Sequence, residues 1–265
     1  MSARRPSRRS GLGAGLGLAG LLIAAAMAVV LVGGSSSGPS SAEPELPPSP
    51  RPALEPVNVP LGPRPAAYWA PVLVASAARL GPADRAVAAW VPARTPEGTT
   101  NIVLVLGESE RRGGKLWVRV RVAGSPDDVR GWMPRTALGG YTAVRTRLVV
   151  NRGRRKATLL RDGRPVFRTA VGIGAPATPT PSGEFYVRNL LHKYRSAFYG
   201  PVAFGTSARS AVASDWPAGG FVGIHGTDRP DLIPGEISAG CIRMTNRDIV
   251  RLARLMRVGT PVSVG

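Results

Sequence analysis

Cysteine is nearly absent from this chain of 265 residues: it occurs once, as Cys241. Histidine occurs only as His192 and His225, and lysine only at positions 115, 156 and 193. Acidic residues number 16 against 35 basic ones, and aromatics make up 6%. Each shortage excludes something. A lone cysteine cannot close an internal disulfide. Two histidines and one cysteine, with no acidic cluster beside them, give no metal-ligand set, so no metal and no cofactor is expected. The shortage of acids leaves a net charge of +19, almost all of it arginine. A balance this basic implies an anionic neighbour: nucleic acid, phospholipid head groups or an anionic cell-wall polymer. A GC-rich genome would give the same bias toward arginine without any partner. Apolar residues make up 43%, enough for a core and for one or two domains.

What is present begins with a long apolar run. After MSARRPSRRS, with four arginines and no acid, residues 11–34 carry no charge over 24 positions. A hydrocarbon core needs about 20 apolar residues, and a basic flank places the N-terminus inside. A cleaved signal has a shorter apolar region, about 7–15 residues. Residues 1–34 are therefore expected to form a cytoplasmic tail and a single-pass membrane anchor, with the rest of the chain extracytoplasmic. The alternative is cleavage near Ser40-Ser41-Ala42 and secretion. Export removes nucleic acid from the partners. It also makes one unpaired cysteine unusual, because exported structural cysteines come in pairs.

Residues 35–66 hold ten prolines and read as an extended linker. In polyproline II geometry such a segment reaches about 100 Å. Residues 67–142 read as a small β domain. One short helix is expected near AYWAPVLVASAARLGPADRAVAAWVPA. Val118, Val120 and Val122 alternate with Arg119 and Arg121, the period of a half-buried strand. Trp117, Gly131 and Trp132 give this region a loose resemblance to a bacterial SH3-like domain. Residues 143–265 start a second β-rich unit. Asp162-Gly163 between two alternating runs signals a hairpin. One helix is expected late, capped by Thr245 with Asp248 three residues on. Its apolar face is Ile249, Leu252, Ala253 and Met256, and Gly259 ends it before a closing strand.

The stretch IHGTDRPDLIPGEISAGCIRM, residues 224–244, joins the rare residues. Thiol catalysis needs a nucleophile, a base to deprotonate it and donors for the developing oxyanion. His225 ends a predicted strand and Cys241 precedes a predicted helix start. Gly240 lets a substrate approach the backbone. By spacing alone Cys241 is equally well a small buried hydrophobe. His192, at a strand end without an acidic neighbour, reads as structural.

At these residues the chain resembles the L,D-transpeptidases, the YkuD-type domain of bacterial cell-wall enzymes. His225-Gly226-Thr227 and Ser238-Ala239-Gly240-Cys241-Ile242-Arg243 resemble its signature, and ATPTPSGEFYV resembles its Thr-Pro-Thr-Pro segment. The resemblance covers roughly residues 145–265. It implies a mainly β, sandwich or barrel-like catalytic domain with one C-terminal helix near the active site. It implies Cys241 as acyl-accepting nucleophile, His225 as base and Ser238 as the residue that orients the histidine through its backbone carbonyl. The amides of Ala239, Gly240 and Cys241 would form the oxyanion hole. Arg243, Gly226, Thr227 and the aromatic at position 198 (Phe198) would contact substrate. Where many members carry a histidine this chain has Ala239, which bears on substrate detail.

The activity so implied is peptidoglycan cross-linking: 3→3 links made through a cysteine thioester on a tetrapeptide stem, with release of D-alanine. The implied partners are peptidoglycan stem peptides, anionic wall polymers and the membrane, with the protein a monomer. The same acyl-enzyme would serve carboxypeptidase action or attachment of a protein to the wall. A sortase would keep its arginine on a later strand, not two residues past the cysteine. A non-catalytic wall-binding protein would also use the anchor, the spacer and a small β domain.

Overall fold

The computed structural model describes residues 67–124, 129–194, 196–212, 216 and 220–265. The expected tail and membrane span over 1–34 and the proline-rich linker over 35–66 lie outside those residues. Among the described residues no helix is long and apolar enough to cross a membrane.

Residues 67–144 form seven strands: β1 (Ala67–Pro71), β2 (Ser76–Arg79), β3 (Val87–Val91), β4 (Ile102–Arg112), β5 (Lys115–Val122), β6 (Val129–Pro134) and β7 (Thr142–Val144). Their order is β3-β2-β6-β5-β4-β1-β7, and each neighbouring pair is antiparallel. The valine–arginine alternation of β5 puts Val118, Val120 and Val122 in the core. The short helix expected in 67–93 does not form. That stretch is β1, β2 and β3. Alanine favours helices in isolation, but Ala70 and Ala78 are completely buried in this sheet's core. Small side chains are needed there because β6 approaches closely. A Cβ on Gly131 would stand 2.9 Å from the Arg79 carbonyl and 3.0 Å from the Ala78 Cβ. Packing has overridden propensity.

The chain crosses to a second sheet at Arg145. Its strands are β8 (Thr146–Asn151), β9 (Lys156–Arg161), β10 (Arg164–Ala170), β11 (Gly172–Gly174), β12 (Gly183–His192), β13 (Val202–Arg209), β14 (Phe221–His225), β15 (Gly235–Ser238), β16 (Ile242–Arg243) and β17 (Pro261–Val264). Their order is β10-β9-β8-β17-β12-β13-β14-β16-β11-β15. The hairpin at Asp162-Gly163 is present, with φ of 50° and 77°. Both residues are left-handed, as a two-residue turn of this hand requires.

β12 joins the two halves of this sheet. Gly183–Tyr186 pairs with β17, and Val187–His192 pairs with β13. A bulge between Val187 and Asn189 inserts Arg188 as the extra residue. Bulges bend a strand and re-aim a side chain, and this one turns Arg188 inward, where its side chain is 2% exposed.

The expected helix is α1 (Asn246–Leu255), and it is the one α-helix among the described residues. Thr245 Oγ1 accepts from the Asp248 amide at 3.2 Å. Ile249, Leu252 and Met256 are completely buried with Leu148, Leu159 and Phe204 of the sheet. Each such side chain contributes roughly 1.5–3 kcal/mol. The helix is thus held by its apolar stripe, and its first turn is anchored beside β16.

The two sheets also meet. Tyr186 packs with Ile102 and Leu104 and donates to the Ile102 carbonyl at 3.3 Å. Burial pushes the Tyr186 phenol above the ordinary tyrosine range.

Candidate active site

His225 and Cys241 come together through strand register. β14 and β16 run parallel, with Ile224 opposite Ile242 and His225 opposite Arg243. Cys241 stands one residue before β16. With strands about 4.8 Å apart and a rise of about 3.3 Å per residue, the Cα atoms of His225 and Cys241 lie about 8 Å apart. Histidine and cysteine side chains can span that gap. The Met244 amide donates to the His225 carbonyl at 2.9 Å and extends the ladder.

Both residues are completely buried. The Gly223 amide donates to Cys241 Sγ at 3.3 Å. His225 Nδ1 lies 2.6 Å from the Gly226 carbonyl. A carbonyl can only accept, so Nδ1 carries the proton and Nε2 is the basic nitrogen. The ring is also held edge-on by Tyr199, with centroids 5.0 Å apart.

The loop before Cys241 is braced from several sides. Gly240 has φ of 107°, a conformation that favours glycine. Ser238 Oγ donates to the Cys241 carbonyl at 2.6 Å and accepts from the Gly240 amide at 3.2 Å. Thr180 Oγ1 donates to the Gly240 carbonyl at 2.9 Å and accepts from the Gly174 amide at 2.8 Å. The Ser238 carbonyl, expected to orient the histidine, accepts from the Ala175 amide at 2.8 Å and from Thr178 Oγ1 at 3.1 Å.

The other expected contact residues surround this pair. Arg243 is buried, with its guanidinium carbon 4.4 Å from the centre of the Phe198 ring. Phe198 in turn lies 5.7 Å from the His225 ring, and the tyrosine beside it is Tyr199. Thr227 is buried, and its amide donates to Asn246 Oδ1 at 3.0 Å. The first residue of α1 thereby shapes the turn after His225. His192 ends β12 and is exposed. Among the described residues no group of three or more metal-binding side chains forms. A cavity of about 810 Å³ opens elsewhere, beside Trp69, Ile102, Arg188 and Val258, and neither His225 nor Cys241 lines it.

Residues 145–264 match the family model of the L,D-transpeptidase catalytic domain, YkuD. Residues 145–264 are thus similar to the catalytic domain of that family. The chain is 34% identical over 117 residues to a Bacillus subtilis protein assigned as L,D-transpeptidase YkuD, covering 44% of this chain and 64% of that protein. A Bacillus licheniformis protein of the same name is 35% identical over 118 residues, again covering 44% and 64%. The chain thus spans under two thirds of the length of these curated relatives. Among solved structures, the catalytic domain of the Enterococcus faecium L,D-transpeptidase is 27% identical, covering 45% of this chain and 96% of that one, with a TM-score of 0.35.

Within residues 145–264, sequence reasoning missed three positioning groups. Thr178 and Thr180 were visible as a Thr-Pro-Thr-Pro segment, but not as the props of the loop at 238–241. Asn246 passed as an ordinary first helical residue. Trp216 carried no signal at all, and it packs in the same cluster as Cys241, Tyr199 and Phe221.

Proposed function

We propose that this protein is a peptidoglycan L,D-transpeptidase that makes 3→3 cross-links. The observation that carries the reading is the pairing of β14 with β16, which sets the only cysteine of the chain beside a histidine whose proton sits on Nδ1. Cys241 Sγ, deprotonated by His225 Nε2, attacks the carbonyl of the third residue of a tetrapeptide stem. The amides of Ala239, Gly240 and Cys241 stabilise the oxyanion, Gly240 by exchanging its long bond to Ser238 Oγ. As the tetrahedral intermediate collapses, the C–N bond breaks, and His225 returns the proton to D-alanine. An amine on a second stem then attacks the thioester, loses its proton to His225, and frees the thiol. No cofactor enters. Arg243 and Phe198 form one wall, suited to a stem carboxylate by the planar fork of the guanidinium. Gly226 and Thr227 shape the turn that carries His225.

The protein acts outside the cytoplasm, held to the membrane by residues 11–34, with the linker giving reach into an anionic wall. This part rests on the uncharged run and the basic flank.

Intact-protein mass spectrometry with a carbapenem tests the reading. A single adduct is expected on wild type and none on Cys241→Ala. An unmodified wild type, or equal labelling of the variant, would overturn it. Incubation with defined muropeptides then distinguishes the products. A dimer lacking one D-alanine indicates cross-linking, and a tripeptide alone indicates carboxypeptidase action.

A further inference from the structure

A buried charged cluster lies outside the reaction chemistry and joins the two sheets. Its centre is Glu97, at the tip of the turn between β3 and β4. That turn is closed by the Thr95 amide on the Thr99 carbonyl at 2.8 Å and the Gly98 amide on the Thr95 carbonyl at 2.9 Å. The Glu97 side chain is completely buried against the transpeptidase domain. Its Oε1 accepts from Arg188 Nη2 at 3.0 Å and from Trp216 Nε1 at 2.6 Å. Its Oε2 accepts from Asn189 Nδ2 at 3.0 Å. Three donors of the second domain thus converge on one carboxylate of the first.

Two of those donors lead to the reaction site. Arg188 stacks on Phe221, its guanidinium carbon 3.7 Å from the ring centre. Trp216 stacks on Tyr194 at 4.9 Å and meets Tyr199 edge-on at 5.9 Å, and Tyr199 holds the His225 ring. The Trp216 ring also lies directly on Gly223. A Cβ on Gly223 would collide with it, and the Gly223 amide is the donor to Cys241 Sγ. Trp216, Tyr199, Phe221 and Leu191 form one cluster with Cys241 and leave it no exposed surface.

We infer that Glu97 is a positioning residue of the transpeptidase site: through Trp216 it holds the aromatic wall that keeps bulk water from Cys241. This deepens the proposed function, and it bears on the choice of acyl acceptor. The thioester has two fates. An amine displaces sulfur to give an amide and a free thiol. Water displaces it to give a carboxylic acid and a free thiol. Both release the same enzyme. A fixed wall favours the acceptor that is bound over the one that diffuses in. The first β domain then takes part in setting the product, not only in supporting the second.

The full chain with Glu97→Gln, Trp216→Phe and both together tests this. Glu97→Gln keeps the shape and removes the charge. Trp216→Phe keeps stacking and removes the donor. The first readout is the rate at which iodoacetamide alkylates native Cys241, the only thiol present. Each single variant is expected to raise it about tenfold, the worth of one hydrogen bond to a charged group. The double variant should add little, since both act through one contact. The second readout is the ratio of hydrolysis to transfer on a stem-peptide donor with an amine acceptor, expected to rise several-fold in the same variants. Val150→Ala, a core change far from this contact, controls for loss of stability and should move neither readout. Wild-type alkylation in Glu97→Gln, additive single effects, or a matching change in Val150→Ala would overturn the inference. Failure of wild type to form any acyl-enzyme would defeat the proposed function, and the alkylation rates would still decide the role of Glu97.

Discussion

Thr180→Val removes one hydroxyl and keeps the side-chain volume. That hydroxyl makes two buried hydrogen bonds, to the Gly174 amide and to the Gly240 carbonyl. Thr180 itself is 1% exposed, so water cannot replace it without rearrangement. Leaving a buried backbone group unsatisfied costs about 1–3 kcal/mol each. Two of them give a loss of about 2–6 kcal/mol. For roughly 200 ordered residues, 1 kcal/mol shifts the melting temperature by about 2–4 °C. A fall of about 4–24 °C follows. The same change frees the Gly240 peptide from the brace that sets the loop before Cys241. Acylation by a carbapenem should therefore slow about 10–100-fold even at temperatures where the variant is folded. Calorimetry and stopped-flow acylation measure the two effects. Thr180→Ser, which keeps the hydroxyl, should recover most of both. A stability loss under about 1 kcal/mol, or equal behaviour of the valine and serine variants, would refute the reasoning.

Other outcomes follow from particular contacts. His225→Asn should slow acylation by about 10²–10⁴-fold at temperatures where the variant is folded, the usual worth of a general base; a tenfold effect or less would be too small for that role. Gly223→Ala places a Cβ against the Trp216 ring and should cost about 1–3 kcal/mol in urea denaturation, as overpacking does. Thr245→Ala removes the cap of α1 and should cost about 1 kcal/mol by the same measurement. For Glu97, burial raises the carboxyl pKa, while Arg188, Trp216 and Thr95 lower it by more, so it stands below the ordinary glutamate value. A folded pKa below the unfolded one gives stability that is complete above the ordinary glutamate range and lost as pH falls through the folded value. Wild type should accordingly lose stability more steeply than Glu97→Gln as urea midpoints are followed from pH 6 to pH 3.

Rarity drew notice to Cys241 and His225, but spacing alone left Cys241 equally well a buried hydrophobe, and only the resemblance of residues 225–227 and 238–243 gave the candidate pair its roles. α1 was legible for a local reason: its cap and its apolar stripe lie within twelve residues. The strands of β5 and the Asp162-Gly163 hairpin were equally local. Ala78 misled, since its preference for helix was outweighed by the close approach of β6. Glu97 could not be read at all. Its partners lie 91, 92 and 119 residues away, and a glutamate in a Pro-Glu-Gly turn looks like any solvated turn residue. Arg188 was hidden likewise, because an arginine inside a strand reads as its exposed face unless the bulge that turns it inward is known. Thr178 and Thr180 stood in a segment that drew notice, but what they brace is sixty residues on.

The two-residue ladder between β14 and β16 has a consequence for how such a domain can change. It holds His225 opposite Arg243, two residues past Cys241, and the brace on the loop before Cys241 comes from Ser238 and Thr180. Asp228 to Leu232 lie on the surface of that connection. Their length and composition can vary while the pair stays in register. A lineage could lengthen, shorten or recharge this loop and leave His225 and Cys241 where they stand. Change on the exposed loop and constancy of the paired strands are thus separable within one short stretch of chain.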